Sequence, residues 1–342
     1  MENPLLELQE YENLQEALKK AKGPVQATGT LDSQKVHLMY WLGKDGGFPW
    51  KLVVTYDDQR AREIYDDFRS FTENVWLYPA KDLLFYSADI HGNLMTRQRI
   101  AVWRHLMEEE EGVVVTTPDG LMDHLLPLVF LKQQAVTVEN GQVMDLDEWK
   151  ERLTALGYER TAQVDGMGQF SIRGGIVDIF PLTEELPVRI ELWGDEVDSI
   201  RSFDPESQRS VEQLEEVVLY PATEIVLTPE QVEMGLERIT KSEKSYEKTL
   251  REQFQTEEAH RIRSIIEEFK ENLKDGMATG SLDSYLTYFC QDTVSFAEYF
   301  PAEETAVFLD EPIRLKARGE AVETEFRESM MNPLEKGYLL PE

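Results

Sequence analysis

The chain has 342 residues, of which 41% are hydrophobic and 30% are charged. This length and composition are typical of a globular protein with two or three domains. Its 66 acidic and 35 basic side chains give a formal net charge of −31, so the phosphate backbone of free DNA or RNA would be repelled on average. A protein with a basic surface is the favoured partner, and DNA binding by this chain is not expected.

Other classes of protein are excluded by what the sequence lacks. No apolar run approaches the roughly 18 residues of a membrane-spanning helix, and the first residues lack the pattern of a signal peptide. The single cysteine, Cys290, cannot form an internal disulfide, which favours a cytoplasmic location. The five histidines are scattered without metal-ligand spacing, and no catalytic triad motif is present, so neither a metal nor a cofactor is predicted.

Residues 1–134 alternate between strand and helix patterns. The predicted elements are strands at 51–55, 75–78 and 112–117, and helices at 5–20, 57–71 and 97–110. Strands separated by helices predict a parallel sheet with helices on both faces. This first segment is therefore predicted to belong to an α/β domain.

Residues 135–220 change to a β-rich pattern with a single helix, predicted at 145–156. In the strand at 188–193 the side chains alternate between two sides: Val188, Ile190 and Leu192 point to one, and Arg189, Glu191 and Trp193 point to the other. The apolar side should face a core, and Arg173 from a preceding strand can join the outer side. Two arginines and a tryptophan on one sheet face are the composition of a protein-binding hot spot. The alternative is a solvated face with Trp193 packed beneath the helix.

Residues 221–342 are mainly helical, with a long helical stretch at 228–274. A short strand follows at 306–309, and it needs a sheet to join. Only the N-terminal segment offers parallel neighbours, so residues 1–134 and 221–342 are predicted to form one α/β domain. The β-rich α+β domain at 135–220 is then an insertion.

Four motifs carry a resemblance to a known family. They are RGGIVDIFP at 173–181, LPVRIELWGDEVDSIRSFD at 186–204, SQRS at 207–210 and YPAT at 220–223. As a set they closely resemble the N-terminal region of the bacterial transcription-repair coupling factors (the Mfd family), which is itself similar to the excision-repair protein UvrB.

The resemblance implies a fold, a partner and a role. The first and third segments would form a degenerate RecA-like, P-loop-type domain, with the segments corresponding to UvrB domains 1A and 1B. The inserted segment would correspond to UvrB domain 2 and bind the damage-recognition ATPase UvrA. By mimicking UvrB, the chain would recruit UvrA to stalled RNA polymerase in transcription-coupled nucleotide excision repair. The polymerase-binding domain and the ATP-driven translocase of such proteins would lie beyond these residues, and this module would have no enzymatic activity.

The same resemblance assigns the UvrA-binding residues. The family uses two arginines and an aromatic residue, which fall on Arg173, Arg189 and Trp193. The aromatic residue is commonly phenylalanine, so Trp193 departs from the pattern. Because these side chains are expected to point outward, their truncation should change the free energy of unfolding by only about 0.5 kcal/mol.

A P-loop would indicate nucleotide binding, because its backbone N–H groups and its lysine hold phosphates. The nearest match, GTLDSQKV at 29–36, keeps Gly29 and Lys35 but has Gln34 and Val36 where glycine and a hydroxyl residue are required. Asp32 adds negative charge to the same loop. The acidic pair at the end of the last strand takes the place of a Walker B motif. The residues of this degenerate nucleotide site are Gly29, Gln34, Lys35, Val36, Asp310 and Glu311.

Two alternative functions come from other classes. One is a nucleotide-dependent DNA-processing enzyme of the UvrB or helicase type, against which Gln34 and Val36 both count. The short path between Tyr78 and Arg97 also leaves too little chain for the DNA-inserting hairpin of UvrB. The other alternative is an autoinhibitory domain that masks the motor of its own parent protein.

Overall fold

The computed structural model describes residues 3–81, 91–108, 111–274 and 282–341. The helices, in chain order, are α1 (Gln9–Lys20), α2 (Asp32–Asp45), α3 (Asp58–Phe68), α4 (His91–Glu108), α5 (Pro118–Leu121), α6 (Leu128–Gln134), α7 (Leu146–Ala155), α8 (Pro229–Glu252), α9 (Thr256–Lys274), α10 (Leu286–Phe289) and α11 (Pro312–Glu335). The strands are β1 (Trp50–Val54), β2 (Val75–Leu77), β3 (Gly112–Thr116), β4 (Val136–Glu139), β5 (Glu159–Arg160), β6 (Gln169–Arg173), β7 (Ile176–Ile179), β8 (Val188–Trp193), β9 (Glu196–Phe203), β10 (Ser210–Leu214), β11 (Glu216–Leu219) and β12 (Thr305–Leu309).

The chain folds into two units whose boundaries differ from the predicted segments. The first unit comprises Met1–Lys81, Glu108–Asp123 and Phe296–Val322, and the second comprises Asp82–Met107, His124–Ser295 and Glu323–Glu342. Helices α8 and α9 therefore belong to the same unit as the β-rich segment. The division into 1–134, 135–220 and 221–342 stays a prediction.

The first unit contains a sheet of four parallel strands in the order β12-β1-β3-β2. Every residue of β1 and β3 is buried, which is typical of parallel strands covered on both faces. Strand β12 pairs with β1 along its whole length, from Trp50 opposite Thr305 to Val54 opposite Leu309. The prediction that the late, isolated strand joins the N-terminal sheet is confirmed.

Helices α2 and α3 pack on this parallel sheet. Val36 of α2 and Ile64 and Phe68 of α3 are fully buried in one cluster with the valines of the sheet. Helix α3 begins where the Asp57 side chain accepts a hydrogen bond from the backbone N–H of Arg60, which satisfies one of the free donors of the first turn.

The second unit contains a six-stranded sheet in the order β10-β9-β8-β7-β6-β5, antiparallel except for the β5–β6 pair. A separate antiparallel pair joins β11 to β4. The α/β fold with a β-rich, mainly antiparallel part agrees with the prediction.

One face of the six-stranded sheet packs on a hydrophobic core that includes Trp149 of helix α7. Val188 and Ile190 belong to this core and Leu192 packs against it, so the predicted alternation of strand β8 is confirmed. Trp193 is 84% exposed, and the alternative that packed it beneath the helix is wrong.

The predicted helical stretch at 228–274 consists of two helices. Helix α8 begins with a capping box, in which Thr228 and Gln231 bond each other's backbone N–H groups. The chain then turns at residues 253–255, where Phe254 has a φ of 63°. No glycine or proline marks this turn in the sequence, so nothing in the residue pattern separates α8 from α9.

Two further predictions concern a DNA-inserting hairpin and a membrane-spanning helix, neither of which is expected. The path between Tyr78 and Arg97 includes residues 82–90, which lie outside the described residues, so the predicted absence of a DNA-inserting hairpin stays a prediction. Among the described residues, no helix is both long and apolar enough to cross a membrane.

A pair of helical glycines tests the packing. A Cβ atom added at Gly235 in α8 would lie 2.1 Å from a ring carbon of Phe289, whereas one added at Gly319 in α11 would have no atom within 4 Å. We expect Gly235→Ala to lower the free energy of unfolding by about 1–3 kcal/mol through overpacking. Gly319→Ala should raise it by up to about 1 kcal/mol through helix propensity. Urea denaturation followed by circular dichroism measures both changes, and equal stability of the two variants would contradict this packing.

Candidate functional site

The face of the six-stranded sheet that points away from the core carries a row of polar side chains. The strand register aligns Ser171, Asp178, Arg189 and Arg201, one from each of β6, β7, β8 and β9. These residues alternate with core residues along their strands, so they point to the same side. Asp178 is fully buried although it lies on this outer face.

Asp178 binds both arginines that the sequence singled out. Arg189 donates from Nε to Oδ1 at 2.6 Å and from Nη2 to Oδ2 at 2.9 Å. Arg173 donates from Nη2 to Oδ2 at 2.5 Å. The exposed fractions of the side chains are 1% for Asp178, 15% for Arg189 and 45% for Arg173. The two arginines are therefore brought together by a carboxylate that lies beneath them.

Arg189 has two further contacts. Its guanidinium carbon lies 4.4 Å from the centre of the Phe203 ring, in a cation–π arrangement. Its Nη2 also donates to Gln208 Oε1 at 3.0 Å, and Gln208 takes a left-handed backbone conformation with a φ of 59°. Hydrogen bonding to Asp178 raises the pKa of Arg189 above its ordinary value, so the side chain is a permanent cation.

Trp193 lies at the end of β8, opposite Glu196 of β9. By strand alternation it is on the same side as Arg189, about 13 Å farther along the strand. Between them on this side, Glu191 forms an ion pair with Arg201. The assignment of Arg173, Arg189 and Trp193 to a partner site stays a prediction, but the first two are in one hydrogen-bonded cluster.

Two residues of this cluster were not among the predicted site residues. Asp178 alternates with the core residues Val177 and Ile179, so the sequence carries the signal that an acidic side chain lies on the outer face. Which arginines it binds depends on the cross-strand register, which the sequence pattern does not specify. Gln208 carries no comparable signal.

Arg189 is not the freely solvated side chain that alternation suggests. Arg189→Ala would leave the buried carboxylate of Asp178 with one partner, so we expect it to lower the free energy of unfolding by about 2 kcal/mol. Arg173→Ala removes a single hydrogen bond from a more exposed side chain and should cost about 0.5–1 kcal/mol. Chemical denaturation of both variants measures the difference, and equal costs would mean that Asp178 does not depend mainly on Arg189.

The degenerate nucleotide site lies in the first unit, where helix α2 begins. Lys35 Nζ lies 2.9 Å from Asp310 Oδ1, 2.7 Å from Glu311 Oε1 and 3.2 Å from Asp32 Oδ1. Arg60 binds the other oxygen of Asp310 through Nε at 3.3 Å. The lysine and the acidic pair that the sequence singled out are therefore in direct contact.

The other residues of this site have structural roles. The Gln34 side chain accepts a hydrogen bond from the backbone N–H of Leu31 at 3.1 Å, and this bond caps the helix. Val36 is fully buried in the core of the unit. Gly29 has a φ of 86° in the preceding loop, a conformation that favours glycine.

The charge balance of the site is negative. Asp32, Asp310 and Glu311 surround Lys35, and Glu63 makes an ion pair with Arg60 at 3.0 Å. Burial acts to raise the pKa of Asp310, but hydrogen bonds from Lys35 and Thr55 outweigh it and hold the pKa below its ordinary value of 3.8. The stability that the Asp310 carboxylate contributes is therefore fully present above the ordinary, unfolded-state pKa. It is lost as the pH falls through the lower pKa of the folded state. Within the described residues, no cluster of histidine, cysteine or acidic side chains could hold a metal ion.

Comparisons with known proteins agree with the resemblance. Residues 136–225 match the family described as the UvrB interaction domain. The chain is 35% identical over 291 residues to the transcription-repair-coupling factor of Bacillus subtilis strain 168. The factors of Staphylococcus epidermidis strain ATCC 35984 and Staphylococcus aureus strain Mu50 are 29% and 28% identical over 288 residues.

Each of these alignments covers 84% of this chain and 24% of the relative, so the chain spans about a quarter of the length of the curated relatives it matches. The matched interval 136–225 contains Arg173, Arg189 and Trp193. The family match and the relatives together support the resemblance of this chain to a module of the transcription-repair-coupling factors.

Proposed function

We propose that the outer face of the six-stranded sheet binds UvrA, and that the chain recruits UvrA in transcription-coupled nucleotide excision repair. The observation that carries this proposal is the 84% exposure of Trp193 on the sheet face that also carries the arginine cluster, within the interval that matches the UvrB interaction domain. The names of the relatives supply the repair context.

The side chains of this face are suited to a protein partner. A large aromatic residue left in water loses the free energy that burial would give it, and such residues on folded surfaces often mark interaction sites. Trp and Arg are the residue types that most often dominate binding energy.

The local charge also differs from that of the whole chain. In the cluster around Asp178, two arginines, Arg173 and Arg189, outnumber the single carboxylate, whereas the whole chain carries a net charge of −31. A partner that presents carboxylates to this face is therefore favoured.

Truncation of the tryptophan tests the proposal directly. We expect Trp193→Ala to weaken UvrA binding by about 30-fold, the equivalent of about 2 kcal/mol. Because the side chain is exposed, the melting temperature should stay nearly unchanged. Isothermal titration of the 342-residue chain with purified UvrA measures the affinity.

Phe254→Ala is the matched control for this truncation. Phe254 is 91% exposed and lies outside the interval that matches the UvrB interaction domain, so its removal should leave the affinity unchanged. Absence of binding by the unaltered chain would refute the proposed partner. An unchanged affinity of Trp193→Ala would refute the surface.

We further infer that the module neither binds nor hydrolyses ATP. Support comes from the ion pairs of Lys35 with Asp310 and Glu311, since a P-loop lysine must be free to contact phosphates. The four carboxylates around two cations would also repel a triphosphate. This arrangement argues against the alternative of a nucleotide-dependent DNA-processing enzyme.

The nucleotide inference has its own test. Titration of Mg-ATP to about 1 mM should give no saturable heat. A site that stays unsaturated at this concentration would have a binding free energy weaker than about −4 kcal/mol. Lys35→Ala should give the same flat titration. A saturable micromolar site in the unaltered chain that disappears in Lys35→Ala would show a working nucleotide site and overturn the inference.

A further inference from the structure

Asp178 is an unusual residue for its position in the sheet. It follows Val177 and precedes Ile179, both fully buried in the core on the other face, and it is itself 0% exposed. A buried carboxylate is costly unless it is paired and hydrogen-bonded. The three hydrogen bonds from Arg173 and Arg189 provide that compensation.

The hydrogen bonds leave part of each guanidinium free for a partner. An arginine has five N–H donors in a fixed, planar arrangement. Among the contacts within the described residues, Arg189 uses three, two to Asp178 and one to Gln208. Arg173 uses one, to Asp178. The remaining donors of Arg189 belong to a guanidinium held by two hydrogen bonds to the carboxylate, and those of Arg173 belong to a guanidinium bonded to one oxygen of the same carboxylate.

The neighbouring charges do not provide an alternative anchor. Glu191, the other acidic residue on this side of β8, forms an ion pair with Arg201. Ser171, next to Asp178 in the row, bonds the backbone carbonyl of Ala162 at 3.0 Å. Asp178 is therefore the acceptor that Arg173 and Arg189 share.

We propose that Asp178 is the positioning residue of this binding surface, which holds Arg173 and Arg189 together as a preorganised site for a carboxylate group of the partner protein. The inference rests on the proposed function of the surface. It adds that affinity depends on a residue that the partner does not touch. Ordering two long side chains before binding removes an entropic cost that binding would otherwise carry, so loss of the anchor should weaken binding by about tenfold or more.

The test is a set of double-mutant comparisons with purified UvrA. Asp178→Asn keeps the shape of the side chain but removes its charge and half of its acceptor capacity. We expect Asp178→Asn to weaken binding at least about tenfold, and Arg173→Ala to cost much less in the Asp178→Asn background than in the unaltered chain. Trp193→Ala should cost the same in both backgrounds, because its contact does not pass through Asp178.

A buried carboxylate elsewhere in the same unit is the control for stability. Glu224 Oε1 accepts a hydrogen bond from Nε of the fully buried Arg99 at 2.7 Å. Glu224→Gln should lower the melting temperature and leave UvrA affinity unchanged. If Asp178→Asn instead reduces the effects of Arg173→Ala and Trp193→Ala alike, Asp178 has only a structural role and the proposal is overturned.

A readout without UvrA separates this inference from the proposed function. In ¹⁵N spectra of arginine side chains, the Nε–H of Arg189 should give a signal protected from exchange, and Asp178→Asn should remove that protection. Failure of the unaltered chain to bind UvrA would refute the partner, while this signal would still test the positioning. Unchanged protection together with unchanged affinity in Asp178→Asn would overturn the inference.

A second variant covers the case in which Asp178→Asn does not fold. Asp178→Glu keeps the charge that compensates the arginines but moves the carboxylate by one methylene. The variant should therefore fold with both guanidinium groups displaced, and it should bind UvrA more weakly. Full affinity of Asp178→Glu would contradict a positioning role.

Discussion

A buried aspartate shared by two cationic side chains organises the candidate site in each unit. Asp178 binds Arg173 and Arg189 in the second unit, and Asp310 binds Lys35 and Arg60 in the first. At Asp310 one carboxylate oxygen bonds Lys35 and the other bonds Arg60. At Asp178, Arg189 bonds both oxygens and Arg173 shares one of them. Both aspartates are buried. A buried charge is tolerated only with such partners. When either partner is removed, the desolvation cost of the buried carboxylate is no longer compensated. The positions of four long cationic side chains follow from this one constraint.

The two clusters differ in what surrounds the shared carboxylate. Around Asp178 the cations outnumber the acids, and Arg173 remains 45% exposed, so positive charge is displayed on a sheet face. Around Asp310 the acids outnumber the cations, and Glu311 takes a further bond from Lys35. The same kind of ion pairing therefore favours an anionic partner on one unit and disfavours a phosphate on the other.

The sequence predicted the elements well where a local pattern determines them. Alternation along residues 188–193 placed Val188 and Ile190 in the core and left Trp193 exposed, as the structure has them. The lone strand before Asp310 was assigned to the parallel sheet because a buried strand must have neighbours, and β12 pairs with β1. Both inferences depend on the period of side-chain direction and on hydrogen-bonding needs, which are readable from a single chain.

What the sequence did not predict depends on contacts between distant positions. Asp178 meets Arg189 because β7 and β8 pair in one register, and a shift of one residue would place the arginine on the core side. The turn at Phe254 has no glycine or proline to mark it. Each of the two compact units also consists of three separate segments of the chain. This grouping follows from tertiary packing, which no local sequence pattern encodes.

The arrangement on the outer sheet face divides folding and binding between different side chains. Trp193 is almost entirely exposed and can contribute to an interface without being needed for the fold. Arg189 is largely buried and compensates Asp178, so any change of this residue alters stability as well as the surface. Arg173, which bonds the same carboxylate but is half exposed, lies between these extremes. A partner that recognises all three therefore recognises the folded sheet and not only a linear segment, because only the folded register brings Arg173 and Arg189 to one carboxylate.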